Sequence, residues 1–209
     1  MPARGRLIAL EGIDGCGKST QAKAVASALG ALVTHEPGAT PLGAQLRRLL
    51  LDPDSDSAPV TPRAETLLMA ADRAQHVAEV IGPALASGVW VVTDRYSAST
   101  IAYQGYGREL GGDGLAEVVA WATAGVEADL SVFVDVPVEV AAARGRGADR
   151  LERLGPAFAA RVRDGFAAQA EAEPGRWLVV DGTRDVDAIT AHIVDGVRAR
   201  LGPEPEHGR

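Results

Sequence analysis

The sequence predicts an α/β protein built on a five-stranded parallel sheet with helices on both faces, a three-layer arrangement. Several short runs are apolar throughout, as expected of strands that are covered on both faces, and helical stretches separate them. We place the strands, in chain order, at Arg6–Glu11, Leu32–His35, Val89–Thr93, Leu130–Val136 and Trp177–Val180.

The helices are predicted in the segments between and after these strands. The clearest is Pro62–Ser87, whose leucines and alanines recur at helical spacing and indicate a helix that faces the core. At 209 residues the chain is expected to form one domain. The predicted helices are Lys18–Leu29, Pro41–Leu51, Pro62–Ser87, Asp113–Ala124, Val138–Ala143, Pro156–Ala172 and Val186–Leu201.

Charged residues collect at the carboxyl ends of the predicted strands. In open parallel sheets the ligand binds at that edge, because loops and helix N-termini converge there. The clustering therefore predicts a functional site along one edge of the sheet. The residues concerned are Glu11, Glu36, Asp94, Arg95, Asp135 and Asp181.

A phosphate-binding loop follows the first strand. The spacing Gly12-x4-Gly17-Lys18-Ser19 lies between an apolar strand and a helix, which is the context this motif requires and which predicts a P-loop NTPase fold. Glycines allow several backbone N–H groups to point at one anion, and the helix dipole adds positive charge. Lys18 can reach the β- and γ-phosphates of ATP, and the Ser19 hydroxyl can bind Mg²⁺. The predicted ATP-binding residues here are Gly12, Ile13, Asp14, Gly15, Cys16, Gly17, Lys18, Ser19 and Thr20.

Composition restricts partners and location. The formal net charge of −7 argues against a broad nucleic-acid surface. The longest apolar runs are too short to span a bilayer, and the N-terminus lacks the pattern of a secretory signal. A single cysteine cannot form an internal disulfide bond. We expect a cytoplasmic protein that binds no membrane and no nucleic acid.

The third strand indicates which kind of nucleotide protein this is. A GTPase of the usual kind recognises guanine with an asparagine, and this chain contains none. Thr93-Asp94-Arg95-Tyr96 places an acid directly before a guanidinium, whereas mechanical ATPases usually have paired acids there. An acid can orient Mg²⁺ while an arginine holds phosphate with paired N–H donors, so a small phosphoryl-transfer kinase is favoured.

The downstream motifs resemble the thymidylate kinase (dTMP kinase) family. The segment Asp94–Gly105, DRYSASTIAYQG, is similar to the family's signature, and three further segments match in order and spacing. They are Glu36–Thr40, Ala70–His76 and Asp149–Glu152, the last preceding a helix that contains Arg161-Val162-Arg163. The resemblance covers about Arg6 to Leu201. It implies transfer of the ATP γ-phosphoryl group to dTMP with Mg²⁺, giving dTDP for dTTP supply, in a homodimer.

The resemblance also implies a role for individual residues. Lys18, Arg95, Arg146 and Asp14 are the expected catalytic residues. Arg144, Arg146 and Arg150 are expected to join the phosphate loop in binding ATP, and Ser19, Asp94 and Glu152 to hold the metal. Arg73 and Gln104 should read the thymine edge, and Tyr103 should lie against the deoxyribose. The full set expected to bind dTMP is Asp14, Glu36, Pro37, Arg47, Met69, Arg73, Arg95, Ser99, Thr100, Tyr103 and Gln104.

A mobile lid is expected at about 144–153, and a frayed tail at 202–209. Some family members carry an arginine inside the phosphate loop, at the position of Gly15, so here the lid must supply that charge. His35 and Ala39 depart from the family's frequent arginine and glycine, and Met69 stands where an aromatic ring often stacks on thymine. His76 and His192 are interpreted as packing or surface residues.

Two other functions remain open from sequence. The chain could be a P-loop kinase of another nucleoside or nucleoside monophosphate. It could also be a regulatory module that binds ATP without transferring phosphate, although a pure sensor would not need the second pocket that Arg73, Arg95, Tyr103 and Gln104 predict.

Overall fold

The five predicted strands form one parallel sheet in this computed structural model, which describes residues 4–52, 60–111, 114–144 and 150–204. The strand order is β2-β3-β1-β4-β5, so β1 lies at the centre and Ala9 pairs with Thr93 on one side and Ser131 on the other. The predicted fold class is confirmed, and the strand boundaries move by only one or two residues. The strands are β1 Leu7–Glu11, β2 Leu32–His35, β3 Val91–Asp94, β4 Leu130–Asp135 and β5 Trp177–Asp181.

The helices cover both faces of this sheet. Prolines in the first turn of α2, α3 and α8 need no N–H donor there, and Gly30 ends α1 in the left-handed conformation. Within the described residues, no helix is both long and apolar enough to cross a membrane. The α-helices are α1 Lys18–Leu29, α2 Pro41–Leu51, α3 Pro62–His76, α4 Gly82–Ala86, α5 Ser97–Thr100, α6 Leu115–Thr123, α7 Val138–Arg144, α8 Pro156–Ala172 and α9 Val186–Leu201.

The long helix predicted over Pro62–Ser87 is interrupted by a wider turn. A π-helical segment, Val77–Ile81, joins α3 to α4. Pro83 has no N–H to donate, and the N–H of Gly82 bonds to the carbonyl of Val77, five residues earlier. The single-helix prediction is therefore corrected to three consecutive helical segments.

A helical segment that the sequence did not predict follows β3. It consists of α5 and a π-helical stretch, Ile101–Gly107. The whole segment from Ser97 to Gly107 is rich in serine, threonine and glycine, which are weak helix formers, so local preference alone does not indicate a helix. It packs against α8 so closely that a Cβ atom on Gly107 would lie 2.7 Å from Phe158. Tertiary contact therefore stabilises this segment.

The two faces of β1 belong to different parts of the core. Ile8 and Leu10 lie in the larger apolar cluster with Val25 of α1, whereas Leu7 lies in a second cluster with Ile81 of the π-helical turn. Because all side chains of β1 are buried, the strand supports the loop that follows it from both sides. The phosphate loop therefore starts from one of the most enclosed positions in the described structure.

Candidate active site

The phosphate loop connects the end of β1 to the start of α1. Gly15 has φ = 81°, and a Cβ atom there would lie 2.2 Å from the carbonyl oxygen of Ala141, so no side chain can be accommodated in this arrangement. Lys18, the first residue of α1, is buried, and its Nζ donates to the carbonyl of Ile13 at 2.9 Å. The loop thus folds around the ammonium group of Lys18.

Cys16 fills the interior of this loop. A Cβ atom on Gly12 would lie 2.8 Å from its Sγ, and the Nζ of Lys18 lies 3.8 Å from the same atom. Burial raises the pKa of the Cys16 thiol. The group is therefore protonated at neutral pH and acts as a small packing residue.

Arg95 occupies the junction between the phosphate loop and β3. It has φ = 73°, an uncommon conformation for a residue other than glycine. Its Nη1 donates to the carbonyl of Gly12 at 3.2 Å and to Ser99 Oγ at 3.1 Å. Its Nη2 donates to Tyr103 Oη at 2.8 Å and to Asp14 Oδ1. Four partners therefore hold one guanidinium group beside the loop.

Asp14 is the acid of this cluster. Burial would raise its pKa, but the Arg95 guanidinium and the Lys18 ammonium outweigh burial and bring the pKa to about 2. Tyr103 Oη donates to Asp14 Oδ2 at 2.8 Å. The carboxylate is therefore ionised at neutral pH and ties the phosphate loop to the helical segment after β3.

A second buried arginine lies farther from the phosphate loop. Arg73 Nε donates to Glu36 Oε2 at 2.9 Å, Nη1 to Thr100 Oγ1 at 2.8 Å, and Nη2 to the carbonyl of Tyr96 at 2.9 Å. The other oxygen of Glu36 lies 2.9 Å from Nδ1 of His76, a residue that is completely buried. His76 is thus a packing residue, as predicted, but one that is hydrogen-bonded to this cluster.

Gln104 is held by a carboxylate that the sequence does not predict as part of the site. Its Nε2 donates to Glu65 Oε1 at 3.0 Å. Arg108 donates to both oxygens of Glu65, at 3.1 Å from Nε and 2.6 Å from Nη2. Neither Glu65 nor Arg108 belongs to a motif that the sequence displays. They meet because α3 packs against the π-helical stretch, which Arg108 directly follows.

The residues predicted to bind dTMP lie around one cavity. Three further residues line it, namely Leu51, Asp72 and Leu151. Asp72 is buried and accepts a hydrogen bond from the N–H of Gly38 at 2.9 Å, and its pKa is raised by burial and by the charge of Glu36. The predicted residues in the lining are Asp14, Glu36, Pro37, Arg47, Met69, Arg73, Arg95, Ser99, Thr100, Tyr103 and Gln104.

Two of the six charged residues at the sheet edge form contacts elsewhere. Asp135 accepts from Arg163 of α8 at 2.6 and 2.9 Å, and Asp181 accepts from the hydroxyl of Thr183 at 2.6 Å. Of the six, Glu36 and Arg95 line the cavity, whereas Asp135 and Asp181, like Glu11 and Asp94, do not. Asp135 and Asp181 are at the predicted edge because β4 and β5 end there, and these contacts fasten the ends of their strands.

Two side chains that could bind a metal ion through oxygen meet beside the loop. Ser19 Oγ donates to Asp94 Oδ2, while Asp94 Oδ1 is buried and has no hydrogen-bond partner in the described part of the chain. A hydroxyl and an incompletely satisfied carboxylate are oxygen ligands of the kind that Mg²⁺ prefers. Within the described part of the chain, no group of three or more His, Cys, Asp or Glu side chains is arranged to hold a metal ion. The donor set fits an ion that is held mainly by phosphate oxygens and water.

The predicted lid is described only at its two ends. Arg144 is the last residue of α7, and its Nη1 donates to the carbonyl of Gly182 at 2.8 Å. The N–H of Arg150 donates to the carbonyl of Leu51, a residue of the cavity lining, at 3.1 Å. Arg146 and the side chain of Glu152, which begins a short 3₁₀ helix, lie outside the described parts of the structure.

Comparison with known proteins identifies the family. The model of the family "Thymidylate kinase" matches residues 10–193. The chain is 47% identical over 210 residues to thymidylate kinase of Synechococcus sp. (strain RCC307), covering 95% of this chain and 98% of the relative. It is also 47% identical over 201 residues to thymidylate kinase of Bordetella petrii, covering 92% of this chain and 95% of that relative. The crystal structure of thymidylate kinase from Ehrlichia chaffeensis superposes with a TM-score of 0.75 at 27% identity, covering 94% of this chain and 100% of that one. The chain therefore belongs to the thymidylate kinase family.

Proposed function

We propose that this protein transfers the γ-phosphoryl group of ATP to dTMP, giving dTDP and ADP, with Mg²⁺ as cofactor. The observation that carries the proposal is the ion pair of Asp14, in the phosphate loop, with Arg95 beside the loop, because both residues also line the cavity described above. A triphosphate on the loop and a monophosphate in that cavity would meet at this ion pair. The arrangement suits direct transfer between two bound nucleotides.

The donor is assigned to the loop from Gly12 to Thr20. Its N–H groups and the start of α1 favour an anion, and the buried ammonium of Lys18 lies within the loop. Contacts with phosphate oxygens would replace the bond of Lys18 Nζ to the carbonyl of Ile13. Lys18 then neutralises the charge that develops on the transferred group.

The acceptor nucleotide is assigned to the cavity. Arg47 and Arg95 provide cationic groups for its phosphate, and Tyr103 packs against the deoxyribose. Arg73 and Gln104, together with Ser99, Thr100 and Met69, surround the base. Glu36 and Pro37 line the cavity and hold the two arginines in position. Arg73 donates to the Glu36 carboxylate, and Arg47 donates to the carbonyl of Pro37, both at 2.9 Å.

The chemistry needs no covalent enzyme intermediate. An oxygen of the acceptor phosphate bonds to the γ-phosphorus, and the bond to the β,γ-bridging oxygen breaks with its electrons remaining on ADP. The attacking oxygen belongs to a phosphate monoester that is already largely ionised at neutral pH, so no general base is required. Arg95 and Lys18 hold the two phosphate groups together and offset their mutual repulsion.

Mg²⁺ is assigned to Ser19 and Asp94, with Glu152 as a further proposed ligand. The assignment is supported by the Ser19 hydroxyl and by Asp94 Oδ1, which has no hydrogen-bond partner among the described residues. When bound, the ion supplies charge neutralisation on the β- and γ-phosphate oxygens. The chain itself contributes the orientation of those two oxygen ligands, because β3 and α1 fix their backbones.

The lid is assigned to 144–153, with Arg146 as its catalytic arginine and Arg144 and Arg150 as further contacts to ATP. Gly15 leaves no room for a side chain within the phosphate loop, so the additional positive charge has to come from another segment. Arginines that reach the transferred phosphoryl group are worth about 10³–10⁵ in rate in comparable enzymes.

We also propose a homodimer in the cytoplasm. Leu67 of α3 is 59% exposed and shares a groove with Leu115 and Val118 of α6, and Trp121, one turn farther along α6, is 85% exposed. We assign the dimer contact to this face of α3 and α6 because its exposed apolar side chains would be covered there. Sedimentation should give a dimer, and Trp121→Glu should shift it toward the monomer. A monomeric wild-type protein at micromolar concentration would contradict the proposal.

A coupled assay of ADP release tests the activity. The acceptors are dTMP, dUMP, UMP, CMP, AMP and thymidine, each with ATP and Mg²⁺. We expect the highest kcat/KM with dTMP. A higher value with any other acceptor would indicate a kinase of another substrate, and ATP binding without turnover would indicate a regulatory module.

A further inference from the structure

The amide of Gln104 has a fixed direction that nothing in the acceptor cavity itself explains. We propose that Glu65, which does not line the cavity, holds this amide with its carbonyl toward the acceptor base and thereby makes the enzyme prefer thymine to cytosine. The inference rests on the proposed function, because it specifies how the dTMP site chooses its base.

The geometry of the cluster leaves one direction for the amide. The Nε2 atom of Gln104 lies 3.0 Å from Glu65 Oε1, and Arg108 donates to both oxygens of the same carboxylate. A carboxylate held by a guanidinium group offers only acceptor lone pairs. Rotation of the amide by 180° would place its carbonyl oxygen against Glu65, where two acceptors would repel each other.

Burial makes this restriction strict. Glu65 is 4% exposed and Gln104 is 2% exposed, so water cannot easily replace a lost hydrogen bond. Arg108 is itself held in place, with its Cζ 5.5 Å from the centre of the Phe158 ring. The Oε1 atom of Gln104 accepts no hydrogen bond from the described residues and is available to the cavity that Gln104 lines.

The two pyrimidines present opposite groups to such a carbonyl. Thymine carries an N3–H donor beside its O4 acceptor, whereas cytosine has an unprotonated N3 beside its N4–H₂ donor. The Gln104 carbonyl can accept from N3–H of thymine but faces a second acceptor in cytosine. Arg73 strengthens the choice, because each of its terminal nitrogens keeps one N–H that can donate to O4 and would oppose an amino group.

The main experiment compares Glu65→Gln with the wild-type enzyme on dTMP, dUMP and dCMP. A glutamine at position 65 can donate as well as accept, so both directions of the Gln104 amide become possible. We expect the preference for dTMP over dCMP, measured as kcat/KM or as inhibition constants, to fall at least about tenfold. The dUMP edge is identical to that of dTMP at N3 and O4, so the dTMP-to-dUMP ratio should change less than about twofold, and the KM for ATP should not change.

Asp129→Asn is the matched control for loss of a carboxylate. Asp129 pairs with Arg4 and Arg6 and accepts from the N–H of Leu7, at the opposite end of the sheet from the cavity. This variant should keep the wild-type base preference. An unchanged dTMP-to-dCMP ratio in Glu65→Gln would overturn the proposal. An equal fall in the dTMP-to-dUMP and dTMP-to-dCMP ratios would also overturn it, since it would indicate a generally loosened pocket.

A complex of the unmodified enzyme with dTMP tests the same inference without a substitution, should Glu65→Gln fail to fold. The expected result is Gln104 Oε1 at about 3 Å from N3 of the base, with Nε2 still bonded to Glu65. Separation of Gln104 from Glu65 in that complex would overturn the proposal. Lack of dTMP turnover by the wild-type enzyme would instead contradict the proposed function, so the two failures are distinguishable.

Discussion

His76 Nδ1 lies 2.9 Å from one oxygen of Glu36, and the other oxygen of the same carboxylate accepts from Arg73 Nε at 2.9 Å. On its far side, His76 Nε2 lies 2.7 Å from Thr34 Oγ1 in β2. All four side chains are buried. A continuous line of hydrogen bonds therefore runs from the edge strand of the sheet to the guanidinium that we assign to the acceptor base.

Substitution of His76 by asparagine or by glutamine tests the hydrogen bonds of its two ring nitrogens separately. Asparagine can place a nitrogen near the position of Nδ1, whereas glutamine places one near Nε2 and leaves Oε1 of Glu36 without the donor that His76 provides. We expect His76→Gln to raise the KM for dTMP about tenfold, in keeping with the 1–3 kcal/mol cost of an unsatisfied buried group, while the KM for ATP stays constant. His76→Asn should lie closer to wild type. Equal effects of both variants on both substrates would indicate that His76 has only a packing role.

The ion pair of Asp14 makes stability depend on pH in the acidic range. The pKa of Asp14 is about 2 in the folded protein and about 3.8 ordinarily, so the unfolded chain binds its proton first as the pH falls. The contribution to stability is complete above about pH 4, is on the order of 1–2 kcal/mol, and is lost as the pH falls toward 2. Urea unfolding of wild type and Asp14→Asn should give free energies that converge over this range. A difference independent of pH would contradict the assignment.

Lys18→Ala should lower kcat by about 10²–10³, because the preorganised positive charge that we assign to the transferred phosphoryl group is lost. Lys23→Ala is the matched control, since Lys23 is the other lysine of the chain and is exposed on the same helix. Single-turnover rates at saturating ATP measure the effect. Similar losses in the two variants would show that general charge near the loop matters and not the position of Lys18.

Arg146→Ala should lower kcat by at least about tenfold and change the KM for ATP much less, because its contact is expected to form on lid closure. Arg200→Ala, an exposed arginine near the end of α9, provides the control. Steady-state kinetics with both substrates checks the expectation. Unchanged turnover would indicate that Arg150 or Arg144 has this catalytic role instead.

The sequence alone determined the features that depend on local chemistry and on the pattern of apolar runs. The helix from Lys18 to Leu29 is where the motif and its flanking glycines predict it, and all five strands lie where the sequence predicts them. The apolar runs of β1 and β3 are buried, whereas the edge strand β2 is largely exposed. The residues that we assign to the acceptor were also predicted from sequence, through the resemblance of several segments to the family, and they line one cavity.

Only the tertiary structure decided how those residues are oriented. The helical segment from Ser97 to Gly107 forms because α8 packs on it, and the bonds of Glu65 to Gln104 and of His76 to Glu36 join residues about 40 positions apart. A side chain's identity and spacing do not specify such partners, because the direction of a buried amide or carboxylate is set by whichever group packing brings within hydrogen-bond distance.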